Sequence, residues 1–200
     1  MIIYRKSKVS ESNQIAKIHL KSFPSFFLTT LGYSFLKTYY KSCVKSKEAI
    51  SICAIKQVDK KLIGFAVGCF NSKGFNKRLI FSNLLDYSYR SILLLFTRPL
   101  ALIRLFKNLA KKNNKDDKGD YAELLSIGVS PDQSGFGIGQ NLLVKFESKV
   151  RKKGVRFVTL TTDAVSNDSV LRFYKKSGYT VYYDFETFPN RKMLKLIKEL

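Results

Sequence analysis

The sequence predicts a mixed α/β (α+β) fold in which short apolar strands alternate with amphipathic helices along 200 residues. Three observations carry this. The apolar run Leu124–Val129 ends at Pro131, passes glycines at 135, 137 and 139, and continues from Gln140 to Val150 with helical periodicity. The runs Ile50–Lys56 and Leu62–Phe70 flank Val58-Asp-Lys-Lys61, the pattern of a hairpin. Helical spacing of apolar residues recurs over residues 11–23 and 33–45. A hydrophobic fraction of 45% supplies a core, and the length suits one domain over residues 1–200.

The elements follow in order. Ile2–Arg5 reads as a short first strand. Ser10 is the expected N-cap of a helix from Glu11 to Phe23, with Ile15, Ile18 and Phe23 on its buried face and His19 at its surface or boundary. Phe23–Gly32 reads as an aromatic loop. The helix Tyr33–Lys45 carries Phe35, Leu36, Tyr39, Tyr40 and Cys43 at helical spacing, with Phe35, Leu36 and Tyr39 assigned to the core. Gly64 and Gly68 in the hairpin allow a bulge or a close approach. Within residues 71–119, a helical insertion is expected over about 82–118. Its two helices are Leu84–Phe96 and Leu100–Lys112, separated at Pro99, and a polar loop follows them to Gly119. Leu93–Phe96 beside Arg90 and Arg98 could touch a membrane surface, although core packing is the preferred reading. After strand Leu124–Val129 and its helix come a strand at Val155–Thr161 and a strand at Thr180–Phe185. Lys192–Ile197 suits a final antiparallel strand, with a terminal helix as the competing reading.

Composition narrows the function classes. Thirty-six basic against fifteen acidic residues give a net charge of +21, which draws in anions. The lysines are spread through every element, and no zinc-finger or RNP signature accompanies them, so no specific nucleic-acid partner is expected. Three cysteines without a close pair fit a reducing, cytoplasmic setting. A single histidine and no Cys-x-x-Cys leave no metal site expected. Met1–Lys6 has no signal-peptide core, and Ile92–Phe106 is interrupted by Arg98, Pro99 and Arg104. No transmembrane segment is expected there, since a span needs about 20 apolar residues.

The glycine segment is the most informative. Glycines let the backbone approach an anion, and the free N–H groups of a helix start point at it. The spacing G-x-G-x-G fails the dinucleotide fingerprint. Gln140 after Gly139 fails the Walker pattern, and a kinase glycine loop joins two strands rather than opening a helix.

Val129-Ser-Pro-Asp-Gln-Ser-Gly-Phe-Gly-Ile-Gly139 resembles the acetyl-CoA loop of the GNAT N-acetyltransferases, whose pattern is Arg/Gln-x-x-Gly-x-Gly/Ala. Gly137 and Gly139 take its two small positions. Ser134 stands where the family has Arg or Gln, which removes a long side chain from beside the pyrophosphate. A second stretch, Asn167-Asp-Ser-Val-Leu-Arg-Phe-Tyr-Lys-Lys-Ser-Gly-Tyr179, resembles the family's Asn…Tyr-x-Lys-x-Gly-Phe/Tyr element. The close resemblance spans about Tyr121–Tyr183. It implies a mostly antiparallel, twisted mixed sheet of six to seven strands, splayed between strands 4 and 5 and flanked by helices.

The same resemblance implies acetyl-CoA as donor and coenzyme A as product. Ile127, Gly128 and Val129 would face the pantetheine arm, with the Val129 N–H as oxyanion donor. The backbone of Ser134, Gly135, Phe136, Gly137, Ile138, Gly139 and Gln140 would hold the pyrophosphate. Asn167 would face the pantetheine, Tyr174 the sulfur, and Lys175 or Lys176 the adenosine end. Acetyl transfer needs a base and an acid. Glu123, in Ala122-Glu-Leu124, matches a glutamate that some members use as base. Strand alternation would put it on one face with Leu125, Ile127 and Val129. Tyr174 is the expected acid. Phe23, Phe26, Phe27 and Leu31 fall in the region that walls the acceptor pocket.

The expected function is therefore a cytoplasmic N-acetyltransferase acting on a small-molecule primary amine. The acceptor assigned is an amino sugar or surface-polysaccharide precursor, and the protein a monomer or homodimer. The alternatives are a non-catalytic acyl-CoA-binding module, a protein or peptide N-acetyltransferase, and a basic nucleic-acid or membrane-surface binder.

Overall fold

The computed structural model describes residues 1–24, 26–87, 99–100, 103, 119–188 and 190–200. In chain order the elements are β1 (Ile2–Lys6), a 3-10 turn (Val9–Glu11), α1 (Ser12–Ser22), α2 (Phe27–Thr30), α3 (Gly32–Lys45), β2 (Ala49–Lys56), β3 (Leu62–Cys69) and α4 (Phe75–Phe81). Then follow β4 (Ala122–Val129), a 3-10 turn (Pro131–Gln133), α5 (Ile138–Lys152), β5 (Phe157–Asp163), α6 (Asp168–Lys176), β6 (Thr180–Thr187) and β7 (Arg191–Glu199). The strands form one seven-stranded sheet in the order β1-β2-β3-β4-β5-β7-β6. Every neighbouring pair is antiparallel except β4 and β5, which are parallel.

Helices cover both faces of the sheet centre. On one face α1 and α3 pack Ile15, Leu36 and Tyr40 against Phe65 and Val67. On the other, α5 packs Leu142, Leu143 and Phe146 against Ala54, Ile63 and Ala66. β3 is therefore buried at every residue and reads as a continuous apolar run, not an alternation. β6, at the sheet edge, keeps Val181 and Tyr182 exposed.

Several expectations change. Ser10 does not cap α1. It lies inside the 3-10 turn, where the Glu11 carboxylate accepts the Lys8 N–H at 2.6 Å and pairs with Arg5. The aromatic loop contains the short helix α2. Residues 191–199 are strand β7, because pairing on both sides, with β5 and β6, outweighs their imperfect alternation. α4 lies in the segment 71–119 and residues 84–87 are helical. The rest of the expected helices Leu84–Phe96 and Leu100–Lys112, and with it the membrane-surface patch at Arg90, Leu93–Phe96 and Arg98, lies outside the described residues apart from positions 100 and 103. Among the described residues no helix is long and apolar enough to cross a membrane.

The alternation drawn through Glu123, Leu125, Ile127 and Val129 is also corrected. The β3–β4 register shifts between Val67 and Gly68, which pair with Ser126 and Leu124, so Leu125 is an extra residue on β4. A bulge reverses the side-chain phase beyond it. Ala122, Leu124, Ile127 and Val129 pack with the α5 side, whereas Leu125 packs with the α1/α3 side and Ser126 reaches Tyr40 of α3. Glu123 consequently shares its face with Ser126 and Gly128, not with Ile127 and Val129.

Gly68 makes this bulge possible. A Cβ there would lie 2.2 Å from the Glu123 carbonyl oxygen and 2.6 Å from the Phe146 ring. Both obstacles are fixed, one being backbone and the other a core aromatic. Gly68→Ala is expected to destabilise the protein by roughly 3 kcal/mol in urea unfolding, in the range of overpacked cores. A loss below about 0.5 kcal/mol would show that the bulge tolerates a side chain.

Candidate active site

β4 and β5 pair only over Ala122–Leu124 with Val158–Leu160. Beyond Leu124 they part, and the gap between them becomes a cavity of about 570 Å³. Its walls include Leu124–Ile127 of β4, Leu160–Thr162 of β5, Val170, Phe173 and Tyr174 of α6, and Phe23, Phe26, Phe27 and Leu28 after the end of α1. The Ser130 N–H is bonded to Ile63 of β3 at 2.8 Å. Strand alternation therefore turns the polar groups of Val129 and Ile127 the other way, toward the gap. In agreement, the Val129 carbonyl accepts the Ser22 hydroxyl across the mouth of the cavity at 2.8 Å.

The glycine loop lies where β4 hands over to α5. Gly135 and Gly137 have φ of 84° and 71°, a conformation glycine adopts without penalty. A Cβ on either would meet nothing within 4 Å, so the loop's outer side is open. Gly137 caps α5 without a side-chain hydrogen bond, and the first helical bond runs from Asn141 N–H to the Gly137 carbonyl at 3.1 Å. The N–H groups of Ile138, Gly139 and Gln140 are those a helix start leaves unclaimed by its own carbonyls. Ser134 and Phe136 are exposed beside them. Gln140 accepts the Ser177 hydroxyl at 3.1 Å, which brings the end of α6, with Lys175 and Lys176, to the start of α5. This arrangement suits a diphosphate: open glycines, free amides, a helix dipole and nearby lysines.

Ile127, Gly139, Asn167 and Tyr174 of the expected cofactor residues line the cavity itself. Gly128 faces the core, where a Cβ would crowd Phe65 at 2.9 Å and Phe23 at 3.2 Å. Asn167 donates to Thr162 Oγ1 at 2.7 Å and to the Asp163 carbonyl at 3.0 Å, which fixes its amide at the end of β5. Tyr174 is 6% exposed, and its hydroxyl makes no hydrogen bond among the described residues. Burial raises its pKa well above the ordinary phenol value, so it stays protonated.

Glu123 does not line the cavity. Its carboxylate takes Lys195 Nζ at 2.6 Å and the Ser72 hydroxyl, and Lys195 also lies over the Tyr121 ring at 4.9 Å. Of the expected acceptor residues, Phe23, Phe26 and Phe27 line the cavity, whereas Leu31 is 2% exposed within the core. Cys43, Cys53 and Cys69 are free and buried, and burial raises their thiols, to about 12 for Cys43 and about 11 for Cys53. None of them is a thiolate nucleophile at neutral pH.

The sequence reading missed His19, Ser22 and Arg191. Far from the helix surface, His19 is 2% exposed and lines the cavity. Its Nδ1 lies 2.6 Å from the Tyr40 hydroxyl and 3.4 Å from Ser126 Oγ, and its ring meets Phe23 edge-on. The signal was present: His19 follows Ile15 by four residues, on the same helical stripe. Arg191 stacks over Phe26 at 4.9 Å and forms a two-pronged pair with Asp163. Nothing local in the sequence links residues 26, 163 and 191.

The sequence model of the acetyltransferase (GNAT) family matches residues 13–179. No curated protein matches the chain in sequence. Solved structures do match in fold. The ribosomal-protein-S18-alanine N-acetyltransferase of Escherichia coli aligns over 100% of this chain and 94% of its own, at 15% identity and a TM-score of 0.61. The PaiA N-acetyltransferase of Thermoplasma acidophilum, in complex with coenzyme A, aligns over 100% and 99%, at 15% identity and a TM-score of 0.55. An aminoglycoside 6'-acetyltransferase type Ii aligns over 98% and 96%, at 14% identity and a TM-score of 0.61.

Burial lowers the His19 pKa from its usual 6.5 to about 4. The unfolded chain therefore takes up the proton first as pH falls. The stability linked to this group is complete above about pH 6.5 and is lost toward pH 4, by roughly 3 kcal/mol in total. Urea unfolding from pH 7.5 to 4.5 should show His19→Gln losing less stability on acidification than the unmodified protein. Equal losses would place the imidazole in water.

Proposed function

This chain belongs to the acetyltransferase (GNAT) family, and from that premise we propose that it transfers the acetyl group of acetyl-CoA directly to a primary amine held in the cavity between β4 and β5. As a member it is an N-acetyltransferase that uses acetyl-CoA, whose thioester supplies the activated acyl group. The observation that carries the proposal is the gap that opens between β4 and β5 past Leu124, with Gly139 at the start of α5 and Tyr174 of α6 both in its wall.

The residues divide the work. Amides from Gly135 to Gln140 hold the diphosphate, and Lys176 supports the adenosine end. Ile127 and Val129 present backbone groups to the pantetheine amides, as a strand accepts a peptide. The Val129 N–H donates to the acyl oxygen as negative charge develops there. Tyr174 donates a hydrogen bond to the departing sulfur and steadies the thiolate without giving up its proton, which burial holds on the phenol; the thiolate takes its proton from water. Asn167, already fixed by Thr162, keeps the pantetheine in line.

Glu123 is proposed as the final acceptor of the amine proton, through water along the face it shares with Ser126. Their partners on β3, Cys69 and Val67, are two residues apart, so about 7 Å of strand separates Glu123 from Ser126. Both its oxygens are engaged, so this role requires water to replace Ser72. The acceptor we propose is an amino sugar. The rings of Phe23, Phe26 and Phe27 can stack on the apolar face of a sugar, and Ser22, Thr187 and Arg191 surround them with polar groups. The aminoglycoside enzyme named above acts on an amino-sugar compound.

A thiol-release assay with acetyl-CoA and a panel of amino sugars, aminoglycosides and peptides tests the function. Transfer to amino sugars is expected. Transfer only to peptide N-termini would move the acceptor to proteins, and coenzyme binding without thiol release would make the chain a binding module. Tyr174→Phe should lower kcat by about 10²-fold while calorimetry finds acetyl-CoA affinity unchanged. Glu123→Gln should also lower kcat, and because it leaves Lys195 buried without its partner it should cost roughly 3 kcal/mol of stability. Full kcat in a folded Glu123→Gln protein would remove Glu123 from the mechanism.

A further inference from the structure

The acetyl-transfer reading leaves one buried polar group of the cavity without a task. His19 Nε2 has no hydrogen-bond partner among the described residues, although the ring is 2% exposed and lines the cavity. An unsatisfied nitrogen at such a position costs free energy unless something else fills its valence. The opposite nitrogen is held firmly. Nδ1 lies 2.6 Å from the Tyr40 hydroxyl, and Tyr40 donates to Ser126 Oγ at 3.1 Å. With the phenolic proton on the Ser126 side and a proton on Nδ1 closing the short contact, the imidazole would be the Nδ1–H tautomer and Nε2 would carry a lone pair.

We propose that His19 Nε2 is the docking point of the acceptor amine: it accepts a hydrogen bond from one N–H of the neutral amine and so turns the nitrogen lone pair toward the thioester. Tyr40 and Ser126 are positioning residues that fix the tautomer and the ring plane. This rests on the acetyl-transfer reading and adds to it the group that selects an uncharged primary amine.

The placement supports the assignment. His19 comes from α1, Tyr40 from α3 and Ser126 from β4, so the cluster joins the acceptor wall to the strand whose next residue, Ile127, faces the pantetheine side. Phe23 packs edge-on against the imidazole at 5.0 Å and, with Phe26 and Phe27, limits access to it. Among the described residues an ammonium entering this apolar corner would meet no uncommitted carboxylate near it, because Glu123 and Asp163 are each paired with a cation. A lone pair can accept from a neutral amine without taking its proton. Burial keeps the imidazole uncharged down to about pH 4, so it never competes as a cation. The proton released later goes to water or Glu123, and His19 changes no bond.

His19 is the only histidine of the chain, which makes the test direct. Protein without a histidine tag, labelled with 15N-histidine, should give one pair of ring signals typical of a neutral Nδ1–H tautomer. Adding coenzyme A with glucosamine should move the Nε2 signal and leave Nδ1 nearly in place. In kinetics, His19→Asn keeps an amide near Nδ1 and removes Nε2. It should lower kcat/KM for glucosamine at least tenfold with acetyl-CoA affinity by calorimetry unchanged. His19→Gln, which returns a polar atom near Nε2, should recover part of the loss. An Nε2–H tautomer, an imidazolium at pH 7, or a His19→Asn protein as fast as the unmodified one overturns the proposal. If the unmodified protein binds acetyl-CoA but acetylates no amine, the acetyl-transfer reading has failed. The ring spectrum with glucosamine then decides His19 alone: a moved Nε2 signal supports amine docking and an unmoved one rejects it.

Discussion

The parting of β4 from β5 is the constraint on which the site depends. Two parallel strands that begin paired, at Ala122–Leu124 with Val158–Leu160, normally continue as a ladder. Here they stop after those residues, and β4 runs on with β3 as its partner and a gap on the other side. Backbone groups left along such an edge must find partners or water, which makes the edge receptive to an extended amide-bearing chain. The Leu125 bulge over Gly68 accompanies the parting and redirects every side chain beyond it. Ile127 and Val129 therefore sit on the α5 side, while Ser126 turns to α1 and α3.

On the proposed reading this division separates donor from acceptor. The donor side is built from main chain: open glycines, the first turn of α5 and the strand edge. Main-chain amides tolerate many side-chain changes, so the proposed site does not depend on a long polar side chain at Ser134. The acceptor side is built from side chains, among them Phe23, Phe26, Phe27, His19 and Arg191. Two of its polar members are already tied, Arg191 to Asp163 and His19 to Tyr40. Among the described residues the imidazole Nε2 has no hydrogen-bond partner, and Tyr174 stands in the wall of the same cavity. The net charge of +21 adds a long-range pull on the coenzyme's phosphates that acts before any contact forms.

Much of this was legible in the sequence where structure is local. The glycine spacing, Pro131 and the helical run after Gln140 define β4, its turn and α5, because each depends on neighbours in the chain. The hairpin and α3 were legible for the same reason. What escaped depends on distant partners. The strand β7 is settled by pairing with β5 and β6, not by its own pattern. The phase reversal at Leu125 is invisible without β3, and it moved Glu123 off the face that simple alternation assigned. His19 was readable as a polar residue on an apolar stripe, but its contact with Tyr40 and Ser126 joins residues 21 and 107 positions apart.

The central claim is that the edge of β4 and the start of α5 grip the coenzyme through backbone amides. Residue-resolved amide hydrogen exchange with and without coenzyme A tests it most directly. The account predicts slower exchange, on adding coenzyme A, at Ile127, Val129, Ile138, Gly139 and Gln140. Unchanged exchange at all of these amides, in protein that calorimetry shows to be saturated with coenzyme A, would contradict it.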